Sequence, residues 1–178
     1  MSSDPDGPQL PARHTRLGVD VGDVRVGLAR SDLDGLLATP VETLPRDTAA
    51  QSVARVAADE DVHVIMVGLP RSMNGTEGAA AQKARAFCTE LLGHLRGVGS
   101  AAQVRLVDER LTTVSAHRAL HGAGRAGRKH RSVVDQVAAV MILQQALDQE
   151  RSTGRPTGEL VDGTGTLEAP GASEQETS

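Results

Sequence analysis

Residues 16–31 alternate so strictly that they impose one local structure. In Arg16-Leu-Gly-Val-Asp-Val21, Leu17, Val19 and Val21 fall on one side, and Gly18 and Asp20 on the other, with Gly22 continuing the second row. Gly22-Asp23 supplies turn chemistry, and Arg25–Ser31 then alternates again, with Val26 and Leu28 opposed to Gly27, Ala29 and Ser31. Two period-2 runs around a turn predict an antiparallel hairpin. One of its faces is branched and apolar. The other is nearly bare apart from Asp20, so a phosphate or a metal ion can approach Asp20 closely. The competing reading is an Asp that bonds nearby amides before a turn, with the glycines serving a bulge.

The rest of the chain extends this hairpin into an α/β domain. A third strand is expected over Leu36–Val41, and a helix capped by Asp47 or Thr48 runs to about Glu60. Val62–Val67 is a β-branched run suited to a buried parallel strand. A loop, Gly68–Gly75, leads to a helix from Glu77 to about Arg96 with Thr76 as its cap, and a short strand follows at Val104–Val107. A helix is expected from Thr112 or Thr113 to near Gly122, then a glycine-rich basic loop to Arg131, then a long helix from Ser132 to Glu150. This order predicts a five-stranded mixed sheet, an antiparallel meander followed by parallel strands, flanked by helices. The polar ends divide the chain into a disordered tail over 1–14, one domain over 15–151 and a disordered acidic tail over 152–178.

Composition narrows the function classes. The formal charge of −4 conceals a basic body: all 19 Lys and Arg lie between Arg13 and Arg155, while seven of the 23 acids sit in the tails. A basic body is compatible with a polyanionic substrate, and equally with an ordinary solvated surface. With no Trp or Tyr and only Phe87, the chain has no aromatic platform for stacking single-stranded bases. The single Cys88 fits a reducing compartment and a buried position in a helix. There is no apolar run of membrane-spanning length and no apolar leader, so a cytoplasmic location with no membrane partner is expected.

Three acids in apolar or glycine-rich settings carry the chemistry: Asp20, the pair Asp108-Glu109 after a strand, and Asp135. Neighbouring strand residues point to opposite faces, so only one of Asp108 and Glu109 readily joins Asp20, and the pattern alone does not choose. Asp135 is followed at three, four, seven and eleven positions by Ala138, Ala139, Ile142 and Ala146, an inward-facing row. Ser132-Val-Val-Asp135 equally resembles a capping box. Carboxylates from two strand ends and one helix suit a hard cation such as Mg²⁺, and such ions serve phosphodiester hydrolysis. The six histidines are scattered and form no zinc pattern; His130 is read as a surface residue.

Four motifs in order, Gly18-Val-Asp20-Val-Gly22-Asp-Val-Arg25-Val-Gly27, Val67-Gly-Leu-Pro70, Asp108-Glu-Arg110-Leu-Thr-Thr113 and Val134-Asp-Gln136 with Ala138 and Ile142, resemble the YqgF family, also called RuvX, over residues 16–149. The resemblance implies a ribonuclease H-like fold and a metal-binding catalytic triad of Asp20, Glu109 and Asp135 with Mg²⁺ or Mn²⁺. It selects Glu109 over Asp108. It implies processing of the 5′ end of pre-16S rRNA, with structured RNA as partner, branched DNA as the alternative substrate, and a monomer or weak homodimer. One departure weakens the junction-resolvase alternative: related resolvases carry a further acid three positions after the helix acid, where this chain has Ala138. A non-catalytic ribosome-assembly factor is a rival from another class, and an actin-like ATPase would need two such domains.

Arg25, Arg71 and Arg110 stand beside the motifs and can hold phosphates bidentately, with surface ion pairs as the competing reading. Arg125, Arg128, Lys129 and Arg131 form a dense basic cluster suited to nucleic-acid contact. The Gly68–Gly75 loop can offer backbone N–H groups to a phosphate, but lacks the Lys-Ser/Thr of a P-loop.

Overall fold

The computed structural model describes residues 10–111 and 128–162. The expected hairpin forms from β1 (Arg16–Val21) and β2 (Arg25–Ser31), antiparallel, with Asp20 opposite Gly27 and Val21 opposite Val26. Next come β3 (Ala38–Pro45), α1 (Arg46–Asp59), β4 (Val64–Leu69), α2 (Ala79–Gly97), β5 (Gln103–Asp108), one 3-10 turn (Glu109–Leu111), α3 (Arg128–Thr153) and β6 (Glu159–Val161). The sheet order is β3-β2-β1-β4-β5-β6. β4 runs parallel to both β1 and β5. All six residues of β4 are buried, which requires cover on both faces.

The two faces carry separate apolar layers. Leu17, Val19, Val26, Leu28, Ile65, Val67, Val104 and Leu106 pack with Ala49 and Val53 of α1 and Phe87 and Leu91 of α2. On the other face Ala29, Val64, Met66 and Val107 meet Ala138, Ala139, Ile142, Leu143, Ala146 and Leu147 of α3. The inward row after Asp135 is therefore real. Truncating one such fully buried side chain, Ile142 to Ala for instance, costs about 2–5 kcal/mol.

The bare hairpin face proves to be the seat of this helix. A Cβ added at Gly18 would lie 2.6 Å from Leu143 Cβ, and one at Gly27 2.0 Å from the Asp135 carbonyl oxygen. Gln144 then ties α3 to the sheet edge: the Ala38 N–H donates to its Oε1 at 2.9 Å, and its Nε2 donates to the Leu36 carbonyl at 2.9 Å.

Several expectations are corrected. The sheet has six strands rather than five, because β6 pairs antiparallel with β5, Val104 opposite Val161. α3 runs to Thr153 and β6 to Val161, so described structure continues past 151. β3 lies later than Leu36–Val41, and its Pro40 is accommodated because β3 is an edge strand, with a bulge at Leu28/Ala29 opposite. α1 follows Pro45 and α2 follows Gly78, each without a side-chain cap, so Asp47, Thr48 and Thr76 do not cap them. α3 begins at Arg128, which puts residue 132 inside the helix and removes the capping-box reading of Ser132. The helix expected over 112–122 lies outside the described residues.

Candidate carboxylate site at the strand ends

Asp20 is the penultimate residue of β1 and is only 3 % exposed. It shares the α3 face with Gly18, because alternate strand residues share a face. The β1–β4 register ends with Val19 opposite Val67, which brings Asp20 level with Gly68. Gly68 in turn pairs with Val107 of β5. Three parallel strands thus end side by side, and their α3-facing positions at this level are Asp20, Gly68 and the residues around Val107.

The two acids after β5 point into different surroundings. Glu109 is two residues beyond Val107 and keeps its face. A Cβ added at Gly68 would come within 2.5 Å of Glu109 Oε1 and 2.6 Å of Ile142 Cδ1. Gly68 therefore leaves open the space that the Glu109 carboxyl occupies beneath α3. Glu109 is 4 % exposed, and burial, reinforced by the charge of Asp108, pushes its carboxyl up to about 7.

Asp108 turns the other way. Its Oδ1 accepts the Arg110 backbone N–H at 2.9 Å, and its Oδ2 accepts Arg110 Nη2 at 2.7 Å and Arg71 Nη1 at 3.4 Å. The Arg110 bonds, above all, hold its carboxyl below the usual range.

Asp135 lies in α3 directly above Gly27, whose strand partner is Asp20. Its side chain is half-buried, less enclosed than the other two. The backbone thus brings the positions of Asp20, Glu109 and Asp135 to the same face near the strand ends. It does not close them into a finished cage: among the described residues no group of three or more His, Cys, Asp or Glu side chains stands ready for a metal ion. Their donor chemistry nonetheless suits a hard cation, since two carboxylates are withdrawn from water beside a position with no side chain.

The expected phosphate contacts divide three ways. Arg71 and Arg110 reach the strand-end rim but are ion-paired to Asp108. Arg25 opens β2 beside the hairpin turn, where the Gly22 N–H donates to its carbonyl at 2.9 Å. Arg125 lies outside the described residues, as do the side chains of Arg128, Lys129, His130 and Arg131. The Gly68–Gly75 loop spends amides on itself: Ser72 N–H donates to Thr76 O, and Gly75 N–H to Ser72 O. Those two amides are therefore spent within this segment. Cys88 is fully buried as expected, and burial pushes its thiol up to about 12. Among the described residues no helix is long and apolar enough to cross a membrane.

A six-stranded mixed sheet with helices on both faces and carboxylates at adjoining strand ends defines a ribonuclease H-like α/β protein. The family model described as "RuvX: Holliday junction resolvase" matches residues 14–149. A protein of Streptomyces coelicolor named "Putative pre-16S rRNA nuclease" is 51% identical over 160 residues, 88% of this chain and 93% of its own. A Nocardioides protein of the same name is 52% identical over 157 residues, 84% of this chain and 97% of its own. The solved structure "T. thermophilus RuvC in complex with Holliday junction substrate" aligns with a TM-score of 0.50 and 14% identity over 83% of this chain and 99% of that one, a likeness of fold. This chain belongs to the RuvX family.

Proposed function

We propose that this protein is a metal-dependent endonuclease that hydrolyses phosphodiester bonds in structured RNA, trimming the 5′ end of pre-16S rRNA. The observation that carries this reading is the pair of buried acids, Asp20 and Glu109, held on the same face at adjoining strand ends with Gly68 between them. Both acids are withdrawn from water and offer oxygen donors of the kind a hard cation takes. The family relationship and the names of the relatives support the same reaction class.

Asp20, Glu109 and Asp135 are the residues that would hold Mg²⁺ or Mn²⁺. When bound, such an ion supplies charge to an attacking water and to the leaving oxygen. Asp20 and Glu109 fix the floor of the site, because each is anchored by a strand end. Asp135 would add a third carboxylate from the helix. Arg25, Arg71 and Arg110, with the basic run Arg125, Arg128, Lys129 and Arg131, would contact the phosphate backbone of the RNA.

The test incubates the purified protein with a pre-16S 5′-region RNA and with a four-way DNA junction, with Mg²⁺, with Mn²⁺ and with a chelator. Expected is metal-dependent cleavage of the RNA that falls at least about a hundredfold in Asp20→Asn and in Asp135→Asn, with RNA binding retained. Cleavage of the junction alone would favour the resolvase activity in the family's description. Binding with no cleavage under any condition would favour a non-catalytic assembly factor.

A further inference from the structure

Asp108 ends β5 next to Glu109, yet the carboxylate site does not use it. Its two oxygens are saturated by one pair of arginines. Arg110 donates from Nε at 3.0 Å and Nη2 at 2.7 Å to Oδ2, and from its backbone N–H at 2.9 Å to Oδ1. Arg71 donates from Nη1 at 3.4 Å to the same Oδ2. The three side chains are 20–31 % exposed, on the rim of the strand ends.

Two guanidinium ions this close would repel each other without the carboxylate between them. With it, they are held as a pair carrying a net charge of about +1. Each guanidinium has five N–H donors, and several remain unspent on both. Arg71 Nε is buried with no hydrogen-bond acceptor. The Gly75 turn passes close to Arg110, whose Nη1 lies 3.0 Å from where a Gly75 Cβ would sit.

We propose that Asp108 is a positioning residue: it aims Arg71 and Arg110 jointly at a backbone phosphate beside the Asp20–Glu109 site. The inference rests on the nuclease reading above. Its signature has an unusual sign. Removing a negative charge beside a polyanion ordinarily tightens binding, whereas removing a positioning carboxylate weakens it.

The experiment measures the affinity of a fluorescein-labelled pre-16S 5′-region RNA, and of a four-way DNA junction, in an Asp20→Asn background that blocks cleavage. Asp108→Asn is expected to weaken RNA binding about tenfold despite the gained positive charge. Asp108→Glu should recover most of that loss. In an Arg71→Ala/Arg110→Ala background, Asp108→Asn should change affinity less than about twofold. In the chain that keeps Asp20, Asp108→Asn should raise KM and leave kcat within about threefold. Equal or tighter binding by Asp108→Asn, or a tenfold effect surviving without the arginines, overturns the proposal. A wild-type chain that cleaves RNA but ignores Asp108→Asn sinks this inference alone. One that neither binds nor cleaves either probe sinks the nuclease reading and this inference with it.

Discussion

At the scale of single residues, neighbouring acids have opposite fates. Asp108 and Glu109 are adjacent, chemically similar and follow the same strand. Asp108 is charged and clamped by arginine; Glu109 is buried and holds its proton to about 7, against an ordinary 4.5. The consequence is a pH dependence of stability. Below the ordinary value both folded and unfolded chains keep the Glu109 proton. Between about 4.5 and 7 the unfolded chain releases it while the folded chain does not, so stability falls as pH rises. Above about 7 the loss is complete, on the order of 3 kcal/mol. Urea unfolding between pH 4 and pH 8 with chelator present should show this decline in the wild type and not in Glu109→Gln. Parallel pH profiles for the two proteins would refute it.

At the scale of elements, α3 lies on the sheet because the hairpin beneath it lacks side chains. Gly27 and Gly68 test two versions of that contact. A Cβ at Gly27 meets the Asp135 carbonyl oxygen at 2.0 Å, which moves only if the helix moves. A Cβ at Gly68 meets the ends of two side chains, Glu109 and Ile142, which can swing aside. Gly27→Ala should therefore cost about 3 kcal/mol and cleavage together. Gly68→Ala should cost only about 1 kcal/mol yet lower cleavage at least tenfold, because Glu109 is displaced. Denaturant midpoints and RNA cleavage rates check both. Full cleavage by Gly68→Ala would show that Glu109 does not need its present position. The sequence made Gly27 visible as part of a bare face, whereas it marked Gly68 only as the start of a loop. It could not say that a helix, and not a ligand alone, fills the space.

At the scale of the whole molecule, the chain after α3 closes the far edge of the sheet. Thr157 is buried and its hydroxyl donates to the Ala146 carbonyl at 2.8 Å. Arg105 of β5 donates to the Thr157 carbonyl at 3.0 Å and to the Gly158 carbonyl at 3.1 Å. A chain ending at Thr153 strands this half-buried guanidinium. It should lose about 2–5 kcal/mol of stability, and Arg105→Met should restore part of that loss only in the shortened chain. Urea midpoints of the four proteins decide it; additive effects would mean that the strand does not act through Arg105. β6 was not legible in advance because three residues, Glu159-Leu160-Val161, carry no period.

The alternation over 16–31, the buried run at β4 and the apolar row after Asp135 were enough to predict a meander, parallel strands and an inward helix face. These are local patterns, and periodicity is a local property of the backbone. Three outcomes needed the packed structure: the seating of the Glu109 carboxyl beside Gly68 beneath α3, the capture of Arg71 and Arg110 by Asp108, and the sixth strand. Except for the local Asp108–Arg110 contact, these join residues distant along the chain, and such contacts depend on strand order and register, which no single segment encodes.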